Sequence, residues 1–473
     1  MKHKKLVIPA LLFCLFISFA SAQDQALEQA VETINHEDVY NFCRTLASPE
    51  FEGRYPSHQG YHAAAKWAAA NFTEWGLKPI SEEVGFLQPY PCPITFQDEA
   101  AMTLIFPERE VELEVESEFL PYLTSGSGSG EVEVVFAGWG VSAPEAGYDD
   151  FANIDVKGKF VMFFSGSPRS DDPRLREWLS RNRSSAINTA REKGAVGILS
   201  ISTKEPIVSP GGRSYLEDFC NVRISDKVAD MLLEEKGVTS VQLKQNLTNF
   251  QAPISFPLGA KVKYRLKSRH ISDGMSYNIV GYVEGSDPEL KKECFYMFAH
   301  FDHFGPHYGR MFYGANDNAS GSAVVMQLAK AFGQLPKKPK RSMVFVLFTA
   351  EELGLGTSYF TNDLPAQFTK IDGVFNYDMV GVGDYVNLNL NAQPAGFKEL
   401  VEEADKSYKI VRGSQSSGGS SRDYPYLYFA SAGGHTRYEF YHRSSDTIYR
   451  INPEIMFNIS RLSFRSAYPW ANR

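Results

Sequence analysis

Three runs in the second half of the chain are apolar at almost every position: "ECFYMFAH" (Glu293–His300), "SMVFVLF" (Ser342–Phe348) and "IDGVFNYDM" (Ile371–Met379). Continuous apolar character marks strands covered on both faces, rather than strands with one wet face. Between them, "ASGSAVVMQLAKAF" (Ala319–Phe332) has helical spacing and "LGTSYFTNDL" (Leu355–Leu364) reads as a helix start. Strand and helix in alternation predict an α/β fold around a mainly parallel sheet, flanked by helices. Earlier in the chain, about Glu28 to Leu77 reads as helical. "QGYHAAAKWAAANFTEWGLKP" (Gln59–Pro79) is its clearest part, closed by Gly76 and Pro79. Strand-like alternation follows in "AMTLIF" and "VELEVE". "TSGSGSG" (Thr124–Gly130) then reads as a flexible or tight connection, and "EVEVVFAGWGVSAPEAGYDDFANIDVKGKFVMFF" as short strands broken by turns. "RSSAINTAREKGAVGILSIS" (Arg183–Ser202) reads as a helix, a glycine turn and a buried strand. There is no internal repeat of fixed period.

Composition fits this picture and adds a compartment. The 473 residues are too many for one ordinary domain. With 43% hydrophobic and 13% aromatic residues, they build sizeable cores. The opening "MKHKKLVIPALLFCLFISFASA" has a basic start, an apolar run and a small-x-small end at Ala20-Ser21-Ala22. That predicts a signal peptide over residues 1–22, and hence a secreted or periplasmic protein. Its apolar run is too short for a membrane span, which needs about 20 residues. Removing its three lysines moves the formal charge from −8 to −11. An acidic chain without a long basic block argues against nucleic acid, and against an anionic membrane after cleavage, as partners. Cys43, Cys92, Cys220 and Cys294 are too widely spaced for a metal knuckle, and leave disulfides and buried thiols equally open.

Chemistry gathers where the apolar runs end. His300 and Asp302 close the first run and Asp317 precedes the next helix. Glu351 and Glu352 close the second, Asp378 closes the third, and His442 lies in "FYHRSSDT". In α/β sheets ligands sit beyond the carboxyl ends of strands, and imidazole mixed with carboxylate, without thiolate, suits hydrolytic zinc. Each residue alone has an ordinary explanation, as a helix cap for Asp317 or a first-turn acid for the glutamates. Recurrence at successive strand ends outweighs those explanations. Two histidines and three carboxylates, one of them shared, suit two ions, and a cation explains why Glu351 and Glu352 stand side by side.

"AHFDHFG", "GANDNASG", "FTAEELGLGTSYF", "NYDMVG" and "FYHRSSDT", in this order and spacing, resemble the motifs of the di-zinc aminopeptidase and glutamate carboxypeptidase family. "LASPEFEGRYPSHQGYHAAAKWAAANFTEWGLKP" resembles that family's amino-terminal helices. "GWGVSAPEAGYDDFANIDVKGKFVMFFSGSP" with "AREKGAVGILSIS" resembles its inserted protease-associated domain. The resemblance implies a zinc-exopeptidase fold with catalytic parts at 23–124 and 259–473, and a β-rich insertion at 125–258. It implies two Zn2+ ions bridged by Asp317, with His300 and Asp378 completing one site and Glu352 and His442 the other. Asp302 would orient His300, Glu351 would serve as general base, and Tyr441 would donate to the oxyanion. The chain departs from the family pattern in "SSRDYPYLYF" (Ser420–Phe429), so Arg422, Asp423 and the loop from Arg412 are where specificity carries over least. His303, His307 and His435 are expected to pack loops or line the pocket rather than bind metal. The expected function is an aminopeptidase acting on peptides. The alternatives are a carboxypeptidase of the same family and a receptor-like binding protein on the same scaffold. Cleft capping, homodimerisation and substrate-size restriction all stay open as roles of the insertion.

Overall fold

The structure is a computed structural model. It describes residues 27–473 except 183–184, 203–204, 211–213, 356–364, 391–395, 416–425 and 432–437. The expected signal peptide, most of "LGTSYFTNDL", Arg422, Asp423 and His435 lie outside the described residues. Two compact units emerge. One comprises the chain up to Cys92 with Met275–Gly305 and Tyr313–Arg473, and the other Pro93–Gly274 with Pro306–Phe312.

The first unit starts with α1 (His36–Leu46), α2 (Gln59–Glu74) and β1 (Leu87–Pro91). The second contains β2 (Ile94–Ile105), β3 (Gly128–Ala137), β4 (Phe160–Phe164), β5 (Gly197–Ser202), β6 (Cys220–Ser225) and β7 (Ser255–Ile271). The first then resumes with β8 (Met275–Val283), β9 (Glu293–His300), α3 (Ser320–Gly333), β10 (Ser342–Phe348) and β11 (Lys370–Tyr377). It ends with β12 (Val386–Leu390), β13 (Val411–Gln415), β14 (Tyr426–Ser431) and α4 (Pro453–Ala471).

Among the described residues the first unit's sheet has nine strands. Its main path runs Lys78–Pro79, β8, β10, β9, β11, β14, β12, β13, and β1 also pairs with β8. The four central strands, β10, β9, β11 and β14, are parallel, as expected, while β8 and β12 join them antiparallel. Every side chain of β10 is buried, which is why the run is apolar on both faces. α3 is buried almost all round and packs against α1 and α4, so its apolar residues are not confined to one stripe. Each fully buried Phe or Leu in this core contributes about 1.5–3 kcal/mol, and an Asp in place of Val344 would strand a charge there.

The second unit forms its own mixed eight-stranded sheet among the described residues, with β7, β3, β4, β5 and β6 as successive neighbours and β2 on the outer side of β7. This compact unit spans Pro93–Gly274 with Pro306–Phe312, where the sequence led to an expected insertion of 125–258. β2 pairs with β7 from Ile94↔Ile271 to Ile105↔Lys261, so a boundary at 124/125 would split one antiparallel ladder. The glycines expected to form a connection behave differently too. Gly128–Gly130 belong to β3, where they pair with Tyr264–Leu266 of β7. The four described cysteines are free and buried. No helix among the described residues is long and apolar enough to cross a membrane.

Candidate metal centre

Register fixes where the candidate residues meet. His300 at the end of β9 pairs with Phe348 at the end of β10, and Phe298 pairs with Asn376 near the end of β11. Three neighbouring parallel strands therefore release their chains at one edge of the sheet, where α/β folds place ligands. Thr349 and Ala350 separate β10 from Glu351 and Glu352, and Asp378 directly follows β11. Asp317 lies in the irregular turn Ala315–Ala319 that leads into α3, with a cis peptide bond to Asn318.

These loops bring the five proposed ligands together. His300 Nε2 stands 3.2 Å from Asp317 Oδ1 and 3.3 Å from Asp378 Oδ1. His442 Nε2 stands 3.4 Å from Asp317 Oδ2 and 3.1 Å from Glu352 Oε2. Asp317 thus turns one oxygen toward each histidine. Donors sharing a tetrahedral ion at about 2.1 Å lie about 3.4 Å apart, so both groups have the spacing of zinc ligands. The donor set itself, two imidazoles and three carboxylates with no thiolate, is one that holds zinc. The residues present therefore fit a two-ion site.

The acids of the cluster and its two histidines shift one another's protonation. Burial alone would push His300 down, but hydrogen bonds to Asp317 and Asp378 and the charge of Glu351 raise it well above its ordinary value. His442 likewise resists burial and rises to about 10 beside Glu352 and Asp317. Asp317 is held well below the usual carboxylate range, because its bonds to the two imidazoles overcome its desolvation. Glu352 is also lowered against its burial, chiefly by the charge of His442. Glu351 behaves differently. Its side chain reaches solvent, yet protein atoms crowd it on most sides. That desolvation, with the charges of Glu352, Asp378 and Asp317, pushes it up to about 7 despite His300.

The remaining expectations fare unevenly. Asp302 Oδ1 is 3.9 Å from His300 Nδ1, whereas the Asp302 carbonyl oxygen is 3.3 Å from it. The carboxylate instead accepts the backbone N–H of Glu351 at 3.2 Å, and burial raises it to about 8. Asp302 therefore fixes the backbone carrying Glu351 as well as facing His300. The Tyr441 ring stacks on His442, with centroids 3.6 Å apart. Burial and four nearby acids raise its phenol, so it stays protonated. Arg412 is exposed and pairs with Asp384 at 3.0 Å. His307 is buried in the second unit, where Nδ1 accepts the Gln97 N–H. His303 is fully buried and its Nδ1 lies 3.1 Å from Glu352 Oε1.

Several supporting residues gave no clear sequence signal. Asp446, four residues after His442, accepts the N–H groups of Asn316 and Asp317 at 3.0 Å each and the Tyr438 hydroxyl at 2.7 Å. Asn318 donates to the Tyr377 carbonyl and accepts the N–H groups of Gly321 and Met379, tying the Asp317 turn to the end of β11. Tyr428 donates to Asp378 Oδ2 at 2.8 Å. Arg54 is fully buried and gives its guanidinium to the carbonyls of Leu46, Phe301, Tyr313 and Gly314. Burial lowers it to about 10, a shift that nearby acids limit.

Residues 278–466, which contain all five proposed ligands and Glu351, match the sequence profile of Peptidase family M28. The chain carries a family M28 peptidase domain. Over 242 residues the chain is 28% identical to aminopeptidase YwaD of Bacillus subtilis, covering 47% of this chain and 50% of that one. Another 37% identity, over 114 residues, links the chain to leupeptin-inactivating enzyme 1 of Streptomyces exfoliatus, covering 23% and 24% of the two chains. The chain thus spans half or less of the length of these curated relatives. An aminopeptidase from Aneurinibacillus sp. strain AM-1 shares the fold, with a TM-score of 0.65 at 19% identity over 93% of this chain and 95% of that one.

Proposed function

We propose that this protein is a secreted, zinc-dependent aminopeptidase that removes residues from the amino ends of peptides. The observation that carries the reading is Asp317, whose two oxygens each face a separate His–carboxylate pair at zinc-ligand spacing. His300, Asp317 and Asp378 would hold one ion, and Asp317, Glu352 and His442 the other. Zinc, when bound, lowers the pKa of water and polarises the scissile carbonyl. Glu351, open to solvent beside the ligand Glu352, takes a proton from the attacking water and returns it to the departing amine. A base raised to about 7 is matched to that task near neutral pH. Tyr441, kept protonated, donates to the oxyanion. Asp302 holds the Glu351 backbone in place.

Cleavage at the amino end is supported by the relatives, since YwaD and the Aneurinibacillus protein are both called aminopeptidases. The inserted unit is read as a protease-associated domain on the residues that resemble one, and export on the residue 1–22 leader. The test is a mixed peptide library incubated with zinc-loaded protein and, in parallel, with chelator-stripped protein, followed by mass spectrometry. Zinc-dependent shortening from the amino end is the expected result. Shortening from the carboxyl end would make the protein a carboxypeptidase, and no zinc-dependent change would remove the enzymatic reading.

A further inference from the structure

Glu352 divides its carboxylate between two histidines. Oε2 faces His442 Nε2 at 3.1 Å, and Oε1 faces His303 Nδ1, also at 3.1 Å. His303 is 4.0 Å from Asp317 Oδ2, so Glu352 is its nearer acid partner. The ring has no exposure to water that could compete for this bond. An ionised carboxylate only accepts, so Nδ1 carries the hydrogen.

The surrounding chain clamps the imidazole. Its backbone N–H reaches the Arg54 carbonyl at 3.4 Å, and Phe304 meets the ring edge-on at 4.9 Å between centroids. Gly314, just ahead of the Asp317 turn, closes the other side. A Cβ there would lie 2.3 Å from His303 Cγ and 2.1 Å from the Asp317 carbonyl oxygen. Its φ of +60° is also a left-handed value that suits glycine. The glycine is therefore what lets the ring lie against the turn that carries Asp317.

We infer that His303 is a positioning residue for the His442-side metal site, holding Glu352 Oε1 so that Oε2 alone is presented to the ion. The inference rests on the two-zinc reading of the site. It assigns a buried imidazole, rather than a backbone group or water, as the partner that orients a ligating carboxylate. Loss of such partners typically weakens metal binding about 10- to 100-fold.

The test uses full-length His303→Ala, His303→Gln and His303→Asn variants with wild type. Each is stripped and titrated with zinc against a competing chelator, and the unfolding temperature of each metal-free form is recorded. Asn places an N–H donor where Nδ1 was, and Gln places one where Nε2 was. The expected result is two zinc-binding steps in wild type and Asn. In Ala and Gln, one of those steps should weaken about 10- to 100-fold while the other keeps its affinity. If all three variants behave alike, or if both steps weaken together in step with the unfolding temperature, the inference is overturned while the two-zinc reading stands. Wild type that takes up no zinc would overturn both.

Discussion

Asp446 offers the sharpest test of how the site is assembled. It touches no ligand side chain, yet it accepts the N–H of Asp317 itself, the N–H of Asn316 and the Tyr438 hydroxyl, all within 3.0 Å. Asp446→Ala removes one acceptor group and leaves three buried donors. Each unsatisfied donor costs about 1–3 kcal/mol, and water entering the vacated volume would satisfy one, so the expected loss from the other two is about 2–6 kcal/mol. For a unit of this size that lowers the unfolding temperature by about 4–24 °C. Asp446→Asn keeps the shape but turns an amide N–H toward a backbone N–H, which costs about 1–3 kcal/mol. The assay is calorimetry of the full chain, following the transition that moves when zinc is added, since two compact units need not unfold together. Zinc affinity should fall in the same order, Ala below Asn below wild type, because the Asp317 turn is no longer held. An Asp446→Ala protein with unchanged unfolding and unchanged zinc affinity would refute the claim that this carboxylate organises the turn.

Other consequences are simpler to state. Glu351→Gln should keep its zinc content but lose about 10²- to 10⁴-fold in turnover, whereas Glu352→Gln should lose zinc at one site; metal analysis beside steady-state kinetics separates the two. Tyr428→Phe, which deletes the 2.8 Å bond to Asp378, should weaken one zinc step by about tenfold in chelator titration. Metal-free protein should lose stability as pH rises. His442, at about 10 when folded, stabilises the fold fully below its unfolded value of about 6.5 and progressively less up to 10. Asp302, raised to about 8, adds a loss between about 4 and 8 in the same direction. Asp317 and Glu352, both lowered, oppose this only in acid, as pH falls below about 4.5. The unfolding temperature in chelator should therefore peak near about pH 4.5 and fall as pH rises from there, and added zinc should raise it more at pH 9 than at pH 6, because binding displaces protons. A chelated protein that grows more stable from pH 6 to 9 would contradict the sign.

The apolar runs that became β9, β10 and β11 were legible because both faces of a central parallel strand must be apolar. Of the proposed ligands, His300, Glu352 and Asp378 could be singled out because they stand at or just after those runs, whereas Asp317 and His442 rested on the motif resemblance. Asp446 was not, since "SSDT" reads equally as a surface turn, and its burial depends on a turn 130 residues earlier folding against it. His303 was expected to pack a loop or line the pocket, and its particular partner was not legible. Nothing in "FDHFG" reveals that Glu352, 49 residues on, would lie against its ring. Alternation marks β2 and β7 as strands but does not say that they pair with each other.

Arg54 has a consequence for modularity. Its four hydrogen bonds join the end of α1, the exit of β9 and the approach to the Asp317 turn, and all of them end on main-chain oxygens. Among the described residues no carboxylate pairs with it, and its charge acts on the nearby Asp302, Asp446 and Asp317. The matched segment 278–466 holds every proposed ligand but not this residue, which comes more than 200 positions earlier. A fragment cut to that segment would keep the ligand list and lose the buried cation that fastens the Asp317 turn, so in this protein the peptidase motif and the unit able to assemble it are different lengths of chain.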